Sequence, residues 1–252
     1  MNKPFLLSLI APFFLFLSAE LIDFFPGSIY YLLPLANALV IFTVYGMVKN
    51  SSFYGRLDFL IFPLVFLNGS IASLLILNSR FLAQGLIFFS AGMIWYYIKS
   101  VYFFHHKPIF YKTFQIRNIS VYGNFLSIFF FSSALFGIRS FLNWPVWGII
   151  LVLTFLFLLV IYQLNWAHKI PLADSGVHIL ADSLILVEIA WSLSFLPLRF
   201  YILGLLLSAA YYIITGLTRH YLLGTLAAKN VKAYLGVGLF SVIMILLSAR
   251  WI

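Results

Sequence analysis

Continuous apolar runs of about 20 residues recur along the whole chain, which is the length that a helix needs to cross a bilayer. Turn-forming and polar residues separate these runs, as at Pro26-Gly27-Ser28 and Asn143-Trp144-Pro145. The runs therefore predict nine membrane-spanning helices. Their approximate limits are 5–25, 29–48, 59–77, 81–98, 119–138, 146–165, 178–196, 200–218 and 233–249.

The composition agrees with a chain dissolved in lipid. Of its 252 residues, 64% are hydrophobic and 8% are charged, whereas soluble domains have about 45–50% and about 25%. Backbone groups in lipid must bond internally, which leaves helix bundles and closed barrels. Barrel strands alternate apolar and polar residues, but the runs here are continuous. The sequence thus predicts an all-α, polytopic transmembrane helix bundle, a single transmembrane domain over residues 1–252 with the lipid bilayer as its partner.

Several features limit the function classes. The net charge of +9 is scattered through short loops, which argues against a nucleic-acid partner. The chain has no cysteine and therefore no disulfide. The lysine and apolar run at the N-terminus resemble a signal peptide, but Leu17-Ser18-Ala19 before Glu20 is a poor cleavage site, so we expect an uncleaved first span.

The distribution of positive charges predicts the orientation, because cytoplasmic loops carry an excess of lysine and arginine. A cytoplasmic N-terminus leaves four of these residues outside, namely Arg80, Arg139, Arg199 and Arg250. It places eleven inside, namely Lys3, Lys49, Arg56, Lys99, Lys107, Lys112, Arg117, Lys169, Arg219, Lys229 and Lys232. We therefore expect a protein of the cell (cytoplasmic) membrane with its N-terminus in the cytoplasm and its C-terminus outside.

Two stretches suggest an internal duplication. RFLAQGL at 80–86 matches RFYILGL at 199–205 in Arg, Phe, Gly and Leu, and the Ser-Ala motifs at 90 and 208 follow at a similar offset. Four spans separate the copies, so both would point the same way, as in parallel transporter repeats. The prediction is a 4+4 repeat with one extra N-terminal helix and halves at 29–142 and 144–252; the alternative is chance similarity between Leu- and Phe-rich helices.

Glu188 is the acidic residue nearest the centre of a predicted span. A charged carboxylate at that depth costs about 2.5–3.5 kcal/mol on insertion scales, and no lysine or arginine lies at the same depth. We therefore expect Glu188 to be protonated and to meet Asn37 and Asn68, which lie near the centres of the second and third spans. This trio is either a binding or proton-coupling site or a neutral polar contact that fixes helix packing.

A second group of polar residues falls at the predicted cytoplasmic rim. Asp182 follows His178 by four residues, so the two share a helix face, and His168 and His220 lie on the same side. These residues could serve a membrane enzyme that acts on lipid-linked substrates, or simply lie at the interface. No metal-ligand spacing, nucleotide loop or nucleophile motif occurs, so we expect no metal, no cofactor and no catalytic residue.

The closing stretch, from RHYLLGTLAAKN through VKAYLGVGLFSVIMILLSARW, resembles the tail of an uncharacterised family of small multi-pass bacterial membrane proteins. That family has no assigned activity, so the resemblance implies only a helical bundle in the cytoplasmic membrane.

Three functions fit these features. The first is a non-enzymatic carrier or binder of a small or lipidic molecule. The second is a scaffold or assembly subunit that meets a membrane-protein partner or a second copy of itself. The third is an enzyme at the rim, which the missing motifs make the least favoured.

Overall fold

The computed structural model describes residues 3–48, 53–106 and 115–249, and within this part of the chain it is all-helical, with no strands. Nine α-helices follow one another in the described residues, and a 3-10 turn at Pro26–Ser28 separates the first two. They are α1 (Lys3–Phe24), α2 (Ile29–Met47), α3 (Phe53–Leu74), α4 (Arg80–His106), α5 (Gln115–Leu142), α6 (Val146–Ala167), α7 (Leu172–Leu193), α8 (Phe200–Leu222) and α9 (Ala228–Ser248).

Eight of the nine described helices are long and apolar enough to cross a membrane. This confirms the predicted helical membrane bundle. Several helices run past their apolar segments: α4 continues to His106 and α5 begins at Gln115. The reason is that a polar end can stay helical after its side chains leave the apolar region, so hydropathy marks the span and not the end of the helix.

The beginning of α7 also differs from the predicted limits. The helix starts at Leu172, directly after Pro171, rather than at residue 178. Pro171 has an extended backbone conformation, and its carbonyl accepts hydrogen bonds from the Ser175 backbone and from the Ser175 hydroxyl at 3.1 and 3.0 Å. Proline suits the start of a helix because it has no backbone N–H that would be left without a hydrogen-bond partner. The polar segment that follows Pro171 is therefore part of α7.

The chain divides into two compact units, Met1–Gly123 and Asn124–Ile252, with the division inside α5. In the first unit, α1 packs against α2 and α4, and α3 packs against α2 and α4. Ala19, Leu74, Ala83 and Ile87 form a buried apolar cluster there. The division does not coincide with the halves expected from the repeat, which stays a prediction.

In the second unit, α7 packs between α6 and α8, and α8 packs against α9. Glycines allow close helix contacts here. A Cβ on Gly216 would lie 2.3 Å from the ring of Tyr234, and one on Gly238 would lie 2.3 Å from Ile213. The α8–α9 contact therefore depends on small residues at these two positions, and it brings Tyr234 against the last turns of α8.

Candidate functional site

Asn37 and Asn68, two members of the predicted midplane trio, bond to each other. Within the first unit, the amide nitrogen of Asn37 donates to the Asn68 oxygen at 3.1 Å, and the reverse bond measures 2.8 Å. Each amide also donates to the carbonyl four residues earlier, at 3.0 and 2.7 Å. The two amides thus satisfy each other, which is the geometry of a polar contact between α2 and α3.

Glu188, the third member, belongs to the second unit and is exposed on α7. Its carboxylate makes no hydrogen bond or ion pair within the part of the chain that the structure describes; only its backbone carbonyl accepts a bond, from Ser192 at 2.9 Å. The midplane site of Glu188, Asn37 and Asn68 therefore stays a prediction.

The buried acid of α7 is Asp182, whose side chain is 5% exposed. The Thr218 hydroxyl of α8 donates to one carboxylate oxygen at 2.9 Å, while the other oxygen, Oδ2, is buried and has no hydrogen-bond partner in the described part of the chain. His178, four residues earlier on the same helix face, is near enough to interact electrostatically with the carboxylate. A buried carboxylate oxygen without a partner is costly, so it marks a place for a proton or a donor group.

Arg219 follows Thr218 directly and is also buried, with 9% exposure. One of its terminal nitrogens donates to the Tyr234 hydroxyl at 2.7 Å, and the other lies 3.4 Å from Nε2 of His168. No carboxylate of the described residues pairs with this guanidinium. The hydrogen-bond partners of its guanidinium among the described residues are therefore a hydroxyl and an imidazole, neither of which is an anion.

Two of the contacts of His168 bear on its tautomer. Its Nδ1 lies 2.8 Å from the Leu164 carbonyl oxygen, which can only accept a hydrogen bond. The ring proton is therefore on Nδ1, which leaves Nε2 as the acceptor that faces Arg219.

We call Asp182, Thr218, Arg219, His168 and Tyr234 the Asp182–Arg219 cluster. Thr218 lies four residues before the end of α8, which is about 6 Å along the helix, and His168 caps the end of α6. The cluster therefore lies at the end of the second unit where α6 and α8 end. The first turns of α7 continue beyond it, since Asp182 is about 15 Å along that helix from Leu172.

Buried polar groups continue from this cluster into the second unit. The Tyr211 hydroxyl is fully buried and within electrostatic reach of both Asp182 and Arg219. The Asn124 amide donates to Gln163 of α6 at 2.7 Å. Two further buried atoms, Oγ of Ser183 and Nδ2 of Asn165, have no hydrogen-bond partner. So much buried polarity is expensive in a membrane bundle, which makes this region the candidate functional site.

Of the four residues predicted at the cytoplasmic rim, the structure places Asp182 and His168 in the cluster and His178 beside Asp182. His220 packs on the Tyr234 ring at 5.4 Å, and its Nδ1 lies 2.8 Å from the Thr225 hydroxyl. The described residues contain no group of three His, Cys, Asp or Glu side chains that could hold a metal ion. The Asp182–Arg219 cluster thus supplies one acid, one fixed cation and hydroxyl donors.

Sequence reasoning missed Arg219, Thr218 and Tyr234. The predicted eighth span ended at residue 218, so Arg219 counted only as a loop charge. One signal was available: Arg219 lies three residues after Gly216, and a glycine in a helix often marks a close contact with a neighbouring helix.

A wide cleft of about 470 Å³ lies at the opposite end of the second unit, between the α5–α6 and α7–α8 connections. Arg139 lines it and donates to the Ser194 carbonyl at 2.5 Å. Because its one charged residue is already bonded to the backbone, this cleft is a weaker candidate than the cluster.

The fold and the buried polar site define the class: the chain is an integral membrane helical protein. Comparison with known protein families, curated proteins and solved structures finds no match to this chain. The resemblance of its closing stretch to a bacterial membrane family therefore rests on the sequence alone.

Proposed function

We propose that this membrane protein binds, and carries, a small or lipidic molecule at the Asp182–Arg219 cluster. The strongest support is that one buried region of the described chain contains both a carboxylate oxygen that lacks a hydrogen-bond donor and a guanidinium that lacks a counter-ion. Among the residues that the structure describes, Asp182 has a carboxylate oxygen without a donor, and the guanidinium of Arg219 pairs with no carboxylate. Intramembrane charged groups are costly and are usually kept for a function.

The chemistry of the cluster indicates what such a molecule contains. A hydroxyl or ammonium group would donate a hydrogen bond to the free carboxylate oxygen of Asp182. An anionic group such as a phosphate or carboxylate would form an ion pair with Arg219, because a planar guanidinium can donate two parallel hydrogen bonds to such groups. The cluster lies near the ends of α6 and α8 and therefore near one membrane surface, which we expect to be the cytoplasmic one. Asp182 thus replaces Glu188 as the proposed protonatable centre.

Native mass spectrometry of the protein purified from its own membranes tests this function. We expect wild-type protein to retain a small molecule or lipid that Arg219→Gln and Asp182→Asn lose, while the control Glu188→Gln retains it. Uptake of the identified molecule into proteoliposomes then measures carriage. Equal adducts in all four proteins, or none in wild type, would refute the proposed site; a co-purifying protein in place of a small molecule would favour the scaffold function.

A further inference from the structure

One side of α8 carries small or hydroxyl-bearing residues along most of its length. Four buried residues of this kind follow one another at steps of four and three: Gly204, Ser208, Tyr211 and Thr215. These steps place them within about 60° of one another around the helix axis. The next step reaches Thr218, which lies 14 residues after Gly204 and bonds to Asp182. We call this the α8 stripe; it covers about 21 Å of the roughly 30 Å apolar core of a bilayer and ends at the Asp182–Arg219 cluster.

Polar atoms beside the α8 stripe are buried without hydrogen-bond partners in the described part of the chain. They are Oη of Tyr211 on the stripe itself, and Oδ1 of Asn124 and Oγ of Ser133 on α5. These three residues are 2%, 1% and 4% exposed. The Asn124 side chain lies near the Tyr211 hydroxyl without a direct hydrogen bond. Close helix packing explains small residues, but it leaves these three atoms unpaired at a cost of about 1–3 kcal/mol each.

We propose that the interior beside the α8 stripe is a hydrated route for the polar group of the carried molecule, an inference that rests on the proposed function. Water inside proteins bonds to buried polar groups that have no protein partner. Water at Tyr211 and Asn124 satisfies both side chains and extends the polar surroundings of Asp182 towards the middle of the membrane. A hydroxyl, phosphate or carboxylate group then moves from the cluster between hydrogen-bonding residues instead of through apolar side chains.

A contact between α5 and α8 closes this route at its far end. A Cβ on Gly204 would lie 2.9 Å from the backbone nitrogen of Ser133, so the two helices touch there. Leu203 and Phe136, which lie further towards the opposite membrane surface, line the cleft of Arg139. The Ser133–Gly204 contact therefore separates the α8 stripe from that cleft. A carrier requires such a closure, because its site opens to one side of the membrane at a time.

Thiol accessibility tests the route, because the chain has no cysteine of its own. Ser208→Cys lies on the α8 stripe, and Ala209→Cys is the matched control, since the next residue lies about 100° further round the helix. The two native residues are 0% and 6% exposed, so exposure alone favours the control. Only a hydrated thiolate reacts rapidly, so in inverted membrane vesicles the impermeant anion sulfonatoethyl methanethiosulfonate should modify Ser208→Cys at least about tenfold faster than Ala209→Cys.

Equal rates at the two positions would overturn the route. Intact cells expose the opposite membrane surface, and there Ser208→Cys should react more slowly than in inverted vesicles. Equal or faster modification from that surface would overturn the closed end.

The same variants separate the route from the binding function, because Asp182 and Arg219 are intact in both. Native mass spectrometry reports whether each variant retains the small-molecule adduct. An adduct that persists while Ser208→Cys reacts as slowly as Ala209→Cys refutes the route alone. Rapid modification of Ser208→Cys in a protein that carries no adduct, in wild type as well, refutes the binding function alone.

Discussion

The contact between Gly216 and Tyr234 gives the sharpest prediction about how the Asp182–Arg219 cluster is held. A Cβ added at Gly216 would lie 2.3 Å from Cε1 and 2.6 Å from Cδ1 of the Tyr234 ring, whereas ordinary contacts begin near 3.4 Å. In the Gly216→Ala variant, the Tyr234 ring must therefore move by at least about 1 Å. Because the Tyr234 hydroxyl bonds to Arg219 at only 2.7 Å, such a movement breaks that bond.

The expected loss of stability combines three effects. Overpacking costs about 1–3 kcal/mol, and losing a hydrogen bond to a charged group costs about 1.5–3 kcal/mol. Alanine gains about 1 kcal/mol over glycine in a helix interior. The Gly216→Ala variant should therefore lose about 1.5–5 kcal/mol of unfolding free energy. Tyr234→Phe, which removes only the hydroxyl, should lose about 1.5–3 kcal/mol.

Unfolding by SDS in mixed lipid–detergent micelles, followed by tryptophan fluorescence, measures these differences. Gly236→Ala is the matched control, because Gly236 is also inside a helix and a Cβ there meets nothing within 4 Å. It should be neutral or slightly stabilising. If Gly216→Ala were as stable as Gly236→Ala, Tyr234 would not pack on α8 as described, and the support of Arg219 would be wrong.

Three further predictions concern other contacts. A double-mutant cycle of Asn37→Leu and Asn68→Leu in the same unfolding assay should give a coupling energy of about 0.6–2 kcal/mol, and additive effects would refute the reciprocal amide pair. Thr218→Val should destabilise the protein by about 1–3 kcal/mol by leaving both Asp182 oxygens without a donor; no loss relative to the exposed control Ser192→Ala would contradict that hydrogen bond. Reporter fusions at Lys169 and Arg199 should report opposite sides of the membrane, with Lys169 in the cytoplasm, and equal signals would refute the threading of α7.

The membrane class and the number of helices could be predicted because hydropathy is a local property of each segment. The starts and ends of the helices were less predictable, as α7 shows. Its first turns carry Asp174 and His178, and their polarity concealed a helix that Pro171 begins. Hydropathy records where side chains meet lipid, whereas backbone hydrogen bonds decide where a helix ends.

The candidate site could be predicted only in part, because its contacts join distant positions. The spacing of His178 and Asp182 on one helix face was readable from the sequence, and so was their position near a helix end. The bond between Asp182 and Thr218 joins residues 36 positions apart, and His168 and Arg219 are 51 apart. Such pairs depend on how α6, α7 and α8 pack, which side-chain spacing along one helix does not specify.

The site expected at Glu188, Asn37 and Asn68 stays a prediction, because its residues belong to two different units. Depth along a span suggested that Asn37 and Asn68 would meet Glu188, since all three lie near span centres. Depth does not give the rotation of a helix about its axis, however. The two asparagines face each other across α2 and α3, and Glu188 is exposed on α7.

A cryo-electron microscopy map of the protein, purified from its native membranes in mild detergent, tests the binding site most directly. We expect density that belongs to no residue of the chain, in contact with Oδ2 of Asp182 and with the guanidinium of Arg219. A map in which a side chain of the protein itself fills the place beside both groups would contradict it.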